Sequence, residues 1–379
     1  MKKLTSRERL MRIFRNEEID RPALKLWGAK LHYDSLLHES YRPIAELAAE
    51  TTDLFIEASG YYLDVQEGAA LGKYREYRTV PTNDPLWNDC YTTLHTPKGD
   101  VTMIRRMSTI NDPGYTIKKF VEDVDDIEKI LSLPYEPYEN LSRESYDRTV
   151  ASVGDRGIVM IGLPHAAFAA ECLMGSETLA YMSVDERELV DELCAVYAKR
   201  IYDHTKKILE SGVEHPIFSW VGPEVYLPPL MGPRDFDDFV YKYDKPLCDL
   251  IHEHGGYIWV HSHNKVRSFM DRFIDMGVDV FNPLEPGPNG DIDLSEVVET
   301  YKNRIGLEGN IEIQEILLSS KERLAALIEE CVKAGAPSGR FILCPSAGFM
   351  EFARPTEHYL DNMLFYLRYG LEIVEQYRK

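Results

Sequence analysis

The sequence predicts a (β/α)8 barrel of the TIM type, with an N-terminal helical segment and a β-hairpin insertion after the second strand. Three observations predict it. Eight short β-rich runs recur along the 379 residues, segments of helical periodicity separate them, and glycine closes most of those segments. An open doubly wound sheet with an extra subdomain is the alternative arrangement of the same alternation.

The first segment, MKKLTSRERLMRIFRNEEID, carries Leu4, Leu10, Met11, Ile13 and Phe14 at amphipathic spacing, with a cap near Thr5 or Ser6. It lacks the apolar centre of a signal peptide. The strand candidates are RPALKLWG (21–28), TDLFIEA (52–58), GIVMIGLP (157–164), HPIFSWVG (215–222), GYIWVHSH (256–263), VDVFNPLEP (278–286), RIGLEGNI (304–311) and GRFILCPSAG (339–348). Between them, VDELCAVYAKRIYDHTKKILESG closes on Gly212, and SKERLAALIEECVKAG on Gly335, read as a helix cap. Residues 84–118 break the pattern with two alternating strands about PKGD, the inserted hairpin. No linker or repeat divides the chain, so 1–379 reads as one domain.

A net charge of -20 argues against nucleic-acid or anionic-membrane partners, both of which favour basic patches. No run has the length of a membrane span, and a cytoplasmic location is expected. The six cysteines show no CxxC spacing and read as free thiols. No GxGxxG fingerprint, P-loop or GxSxG elbow is present.

In a parallel barrel, chemistry sits at the carboxyl ends of the strands. Those ends carry Trp27, His32, Tyr61, Tyr62, His165, Phe168, Glu224, Tyr226, His261, His263, Asn282, Glu285, Glu308, Asn310, Cys344 and Phe349. Alternation along a strand sends His261 and His263 to one side and Ser262 to the other. The pair is able to chelate one ion; two ordinary hydrogen-bonded histidines is the plainer reading. Cys344 supplies a third donor for zinc, and Glu224 or Glu285 a displaceable fourth. The fifth and eighth strands are not neighbours, so such a site forms only at the barrel mouth. His252 and His254, at a helix end before Gly255, read as structural.

From GPEVYLPPLMGPRDFDDFV through HEHGGYIWVHSHNKV, MGVDVFNPLEP and GNIEI to FILCPSAG, the chain resembles the uroporphyrinogen decarboxylase superfamily, in particular its zinc-dependent corrinoid methyltransferase branch. The resemblance implies the same barrel. It also implies zinc held by His261, His263 and Cys344, with His263 departing from the cysteine that the branch keeps there. The stretch LKLWGAKLHYD lacks the arginine-rich clamp of true uroporphyrinogen decarboxylases, so decarboxylation of that polycarboxylate is not expected.

The resemblance therefore implies methyl transfer between a small substrate, best matched by a methoxylated aromatic undergoing O-demethylation, and a corrinoid (cobalamin) carried by a partner protein. Glu224, His165 and His32 are the candidate catalytic groups. Trp27, Tyr61, Tyr62, Phe168, Tyr226, Glu285, Asn310 and Phe349 are the candidate substrate contacts. Alternatives are a methylcobalamin-dependent thiol methyltransferase, a metal-free decarboxylase, and a non-catalytic corrinoid-binding barrel.

Overall fold

The structure, a computed structural model, describes residues 2–110, 112–350 and 355–379. Eight parallel strands form the central sheet: β1 (Ala23–Leu24), β2 (Leu54–Glu57), β7 (Gly157–Gly162), β8 (Ile217–Val221), β9 (Tyr257–His261), β10 (Val280–Asn282), β11 (Gly306–Ile311) and β12 (Phe341–Pro345). Their order, β1-β12-β11-β10-β9-β8-β7-β2, runs round the barrel in chain sequence. Every strand candidate of the sequence is found. The open-sheet alternative fails, because each strand neighbours its successor with no reversal.

The two end strands meet at a seam. Asp53 N–H donates to Leu24 O at 2.7 Å, and Leu24 N–H donates to the Asp53 carboxylate at 2.9 Å. Arg9 and Arg21 hold that carboxylate at 2.6 and 3.3 Å. Arg9 comes from the N-terminal helix Ser6–Phe14, which Thr5 caps in a reciprocal box with Glu8. Leu10, Ile13 and Phe14 of this helix plug the barrel floor against Ile158, Ile217, Val280 and Ile342.

The insertion is larger than a hairpin. β4 (Trp87–Thr96) and β5 (Gly99–Ser108) pair about the PKGD turn as expected, but β3 (Arg75–Pro81) and β6 (Tyr115–Lys118) extend them to a four-stranded antiparallel sheet. REYRTVP lacks the alternation of a half-buried strand because almost all of it faces solvent. Asn111, within this segment, lies outside the described residues.

Gly335 corrects another expectation. It lies inside the helix Lys321–Gly335 with ordinary helical geometry, and Ala336 is the cap. Glycine is needed there for closeness: a Cβ would run into the Phe341 ring at the start of β12. His252 and His254 are structural as read, bonded to Asp279 and to Leu250 O. All six cysteines are free. No described helix is long and apolar enough to cross a membrane.

Candidate active site

The inward faces of the strands are visible in the core, where Ala23, Phe55, Met160, Ile217, Trp259, Val280, Ile342 and Cys344 share one cluster. The next inward positions towards the carboxyl ends bring Lys25 and Trp27, just after β1, and His261, the last residue of β9, to the mouth. Register sets Asn282 of β10 beside His261.

A polar chain crosses the mouth from these residues. Lys25 Nζ donates to Glu308 Oε1 at 2.7 Å, and Trp259 Nε1 donates to Glu308 Oε2 at 2.9 Å. Asn282 Nδ2 donates to Glu308 Oε1 at 2.8 Å, which turns Asn282 Oδ1 towards His261 Nδ1 at 2.6 Å. His261 Nε2 faces His263 Nε2 at 2.8 Å, and His263 Nδ1 meets Glu285 Oε2 at 2.9 Å.

This order decides where protons sit. An amide oxygen and a carboxylate accept, so Nδ1 of both rings carries hydrogen. Both Nε2 lone pairs then converge on one short gap. A 2.8 Å approach between them fits a proton on one ring; a zinc ion, bonded to each nitrogen at about 2.0–2.1 Å, would need the rings to part slightly. Burial, then the neighbouring His263, press the His261 pKa down to about 3. Burial also opposes charge on His263, but Glu285, Glu224 and Glu312 outweigh it and raise the pKa. The proton therefore belongs to His263, aimed at neutral His261.

Aromatic rings wall the chain. Lys25 Nζ lies 4.0 Å from the Phe55 ring centre, 4.5 Å from Trp259 and 5.0 Å from Trp27. The Trp27 ring meets His261 edge to face at 4.7 Å. Beyond His263, Glu224 Oε2 and Glu312 Oε1 are buried without a hydrogen-bond partner. Burial pushes both carboxyls above their usual range. Unsatisfied buried acceptors call for a donor or a cation from a ligand.

The expected three-ligand metal site is only half assembled. Among the described residues, no three His, Cys, Asp or Glu side chains are gathered to hold a metal ion. Cys344 is fully buried, and its thiol donates to Pro345 O at 3.2 Å. Burial, then Glu308, push that thiol well above its ordinary pKa. His261 and His263 fit the paired-imidazole half of a zinc site, each with the Nδ1 partner that metal-bound histidines use.

The sequence model of the uroporphyrinogen decarboxylase (URO-D) family matches residues 106–359, about two thirds of the chain. The chain belongs to the URO-D family. Among solved structures, its barrel is similar to a methyltransferase from Methanosarcina mazei, with a TM-score of 0.60 and 14% identity over 97% of this chain and 99% of that one. The GH26 domain of an endo-β-mannanase/endo-β-glucanase from Prevotella bryantii covers 95% of this chain and 96% of its own at 9% identity, with a TM-score of 0.35. No curated protein matches the sequence significantly.

In this URO-D barrel the expected site residues separate into groups. Trp27, His261, His263 and Glu285 meet at the mouth. Glu224 stands at its edge on the turn Pro223–Tyr226; Phe168 packs beside it against Gly222, whose φ of +112° and missing Cβ admit the ring. Asn310 is tied to Leu284 O at 2.6 Å. Phe349 is buried against Tyr41 and beneath Gly28.

Other candidates face elsewhere. His165 caps the helix Ala166–Asp185: its Nδ1 accepts from Phe168 N–H at 3.1 Å, and Nε2 stands 2.7 Å from the Asp244 carboxylate. The ring is buried there, with Nδ1 held by the cap and Nε2 set against Asp244 without a completed hydrogen bond. His32 is exposed on the loop after β1. Tyr226 donates to Ala167 O in the helical layer. Tyr61 packs on Tyr146, and Tyr62 is 65% exposed. Strand-end position alone did not show which way these chains turn once the strand is over.

Lys25, Trp259 and Glu312 were missed as site residues. The signal for Lys25 was present: in ALKLW it alternates with Ala23 and Trp27, so all three point inward.

Proposed function

We propose that this mouth transfers a methyl group between a small substrate and a corrinoid carried by a partner protein, with a methoxylated aromatic as the preferred methyl donor. The observation that carries the reading is the pair of Nε2 atoms 2.8 Å apart, each backed at Nδ1. The URO-D barrel and its likeness in fold to a methyltransferase support it.

His261 and His263 are the residues that would hold zinc there, in the place of their shared proton. Cys344 would have to leave Pro345 O to join them, and Glu224 is the carboxylate whose free oxygen is nearest in kind to a replacement. Zinc supplies Lewis acidity towards a substrate heteroatom when bound. The chain's own residues do the rest. Trp27 packs edge to face on His261, and Phe168 lies against Gly222 next to Glu224. Asn282 and Glu285 hold the imidazoles in one tautomer. Glu224 and Glu312, unpartnered, favour a donor or cation and repel anions.

That repulsion ranks the alternatives. An anionic thiol acceptor and a carboxylate substrate would both meet it. Metal-free decarboxylation nevertheless has one supporting observation, the proton that His263 already holds for delivery. Incubation with a Co(I) corrinoid protein and methoxyaromatics separates the readings. Methyl-Co(III) absorbance formed only with donor and enzyme supports transfer; CO2 release from a small acid without corrinoid supports the second reading instead.

A further inference from the structure

We propose a second binding site on the underside of the barrel, at Arg340, that takes a small carboxylate with an apolar body. Arg340 immediately precedes β12, so it lies at the amino-terminal end of the strands, opposite the mouth. It is 5% exposed, and its Nε and Nη2 are buried with no hydrogen-bond partner. Among the described residues no carboxylate forms an ion pair with it. Burial alone governs its pKa, which is lowered.

Its charged neighbours are ion-paired, which isolates its charge. Arg9, Arg21 and Arg378 are matched by Asp20, Asp53 and Glu375. One positive charge is left over, and a buried charge without a counterion is costly. The same residue lines a cavity of about 250 Å³ whose other walls include the apolar groups of Ile19, Pro22, Ala336, Phe341 and Tyr377 beside Arg21 and Lys379, both already ion-paired.

The chemistry of an occupant follows. One unbalanced charge asks for one negative charge. A planar guanidinium fork matches a carboxylate, and apolar walls suit a hydrocarbon body more than a second charge. Phosphate carries more charge than the one Arg340 leaves unbalanced, since Arg21 and Lys379 on the same walls are already paired. The walls come from the approach to β1, the approach to β12 and the chain's last helix, so an occupant would tie these together and stabilise the fold.

Benzoate, neutral benzamide and inorganic phosphate serve as probes on the whole chain, with wild type beside Arg340→Met and Ala336→Leu, which fills the cavity and leaves the charge. Benzoate is expected to raise the wild-type Tm saturably by about 2 °C, with one site per chain by calorimetry. Both variants are expected to lose the response. An equal response to benzamide, or one that persists in Arg340→Met, overturns the site; phosphate matching benzoate overturns the carboxylate assignment. Should Arg340→Met fail to fold, Ala336→Leu decides alone.

Discussion

His261 and His263 aim Nε2 at Nε2 across 2.8 Å, while Asn282 and Glu285 fix the far side of each ring. The arrangement makes the gap a seat for one cation. His261 ends β9 and His263 follows two residues beyond it, yet the rings still reach one side of the chain, with Ser262 buried between them.

Charge on His263 depends on Glu285. Replacing Glu285 by Gln keeps an acceptor for Nδ1–H but removes the negative charge that raises the His263 pKa. The His263 pKa, followed by NMR of the ring carbons, is expected to fall in Glu285→Gln, with His261 neutral throughout. An unchanged titration would mean that Glu285 does not set the charge.

Asn282 tests orientation separately from charge. Asn282→Leu leaves His261 Nδ1 without its acceptor, and loss of such a partner typically costs about 10–100-fold in metal affinity or activity. Methyl transfer is expected to drop within that range while the circular dichroism spectrum is retained. Full activity would remove Asn282 from the site.

Lys25 carries a buried charge between Glu308 and three aromatic rings. Lys25→Met strands the Glu308 carboxylate, and breaking a buried pair from one side costs about 3–5 kcal/mol. Denaturant unfolding is expected to show that loss, and the double variant Lys25→Met/Glu308→Gln to recover most of it. Equal losses in the single and double variants would contradict the pairing.

How much of this was legible in the sequence depends on the kind of residue. The eight strands were readable because a parallel strand is a short apolar run between helices, and HSH gave the mouth because its spacing is itself geometry. β3 was not readable, since REYRTVP is exposed and carries no alternation. Tyr61, Tyr226 and His165 misled for another reason. They follow strand ends, where the chain leaves the regular alternation and side-chain direction is set by turns such as the His165 cap. Cys344 pointed inward as expected, yet its depth in the cluster with Trp259 and Ile342 depends on packing that one strand cannot reveal.

Acid should open the barrel at its seam. Burial pushes the Asp53 carboxyl up, but Arg21 and Arg9 outweigh it and hold the pKa below the ordinary value of 3.8. A depressed carboxylate contributes stability that is present above the unfolded pKa and lost as pH falls through the folded one. Stability measured by urea is expected to decline below about pH 4. Asp53→Asn should be less stable at neutral pH and lose this part of the decline. A wild-type profile in Asp53→Asn would place the acid lability elsewhere.

The cation seat is tested most directly by metal analysis of purified protein, wild type beside His261→Ala, His263→Ala and Cys344→Ala. About one zinc per chain in the wild type is expected, lost in both histidine variants; its fate in Cys344→Ala tells whether the thiol moves in as the third ligand. Zinc retained after removal of either histidine, or absent from a wild type reconstituted with excess metal, would contradict a metal at His261 and His263.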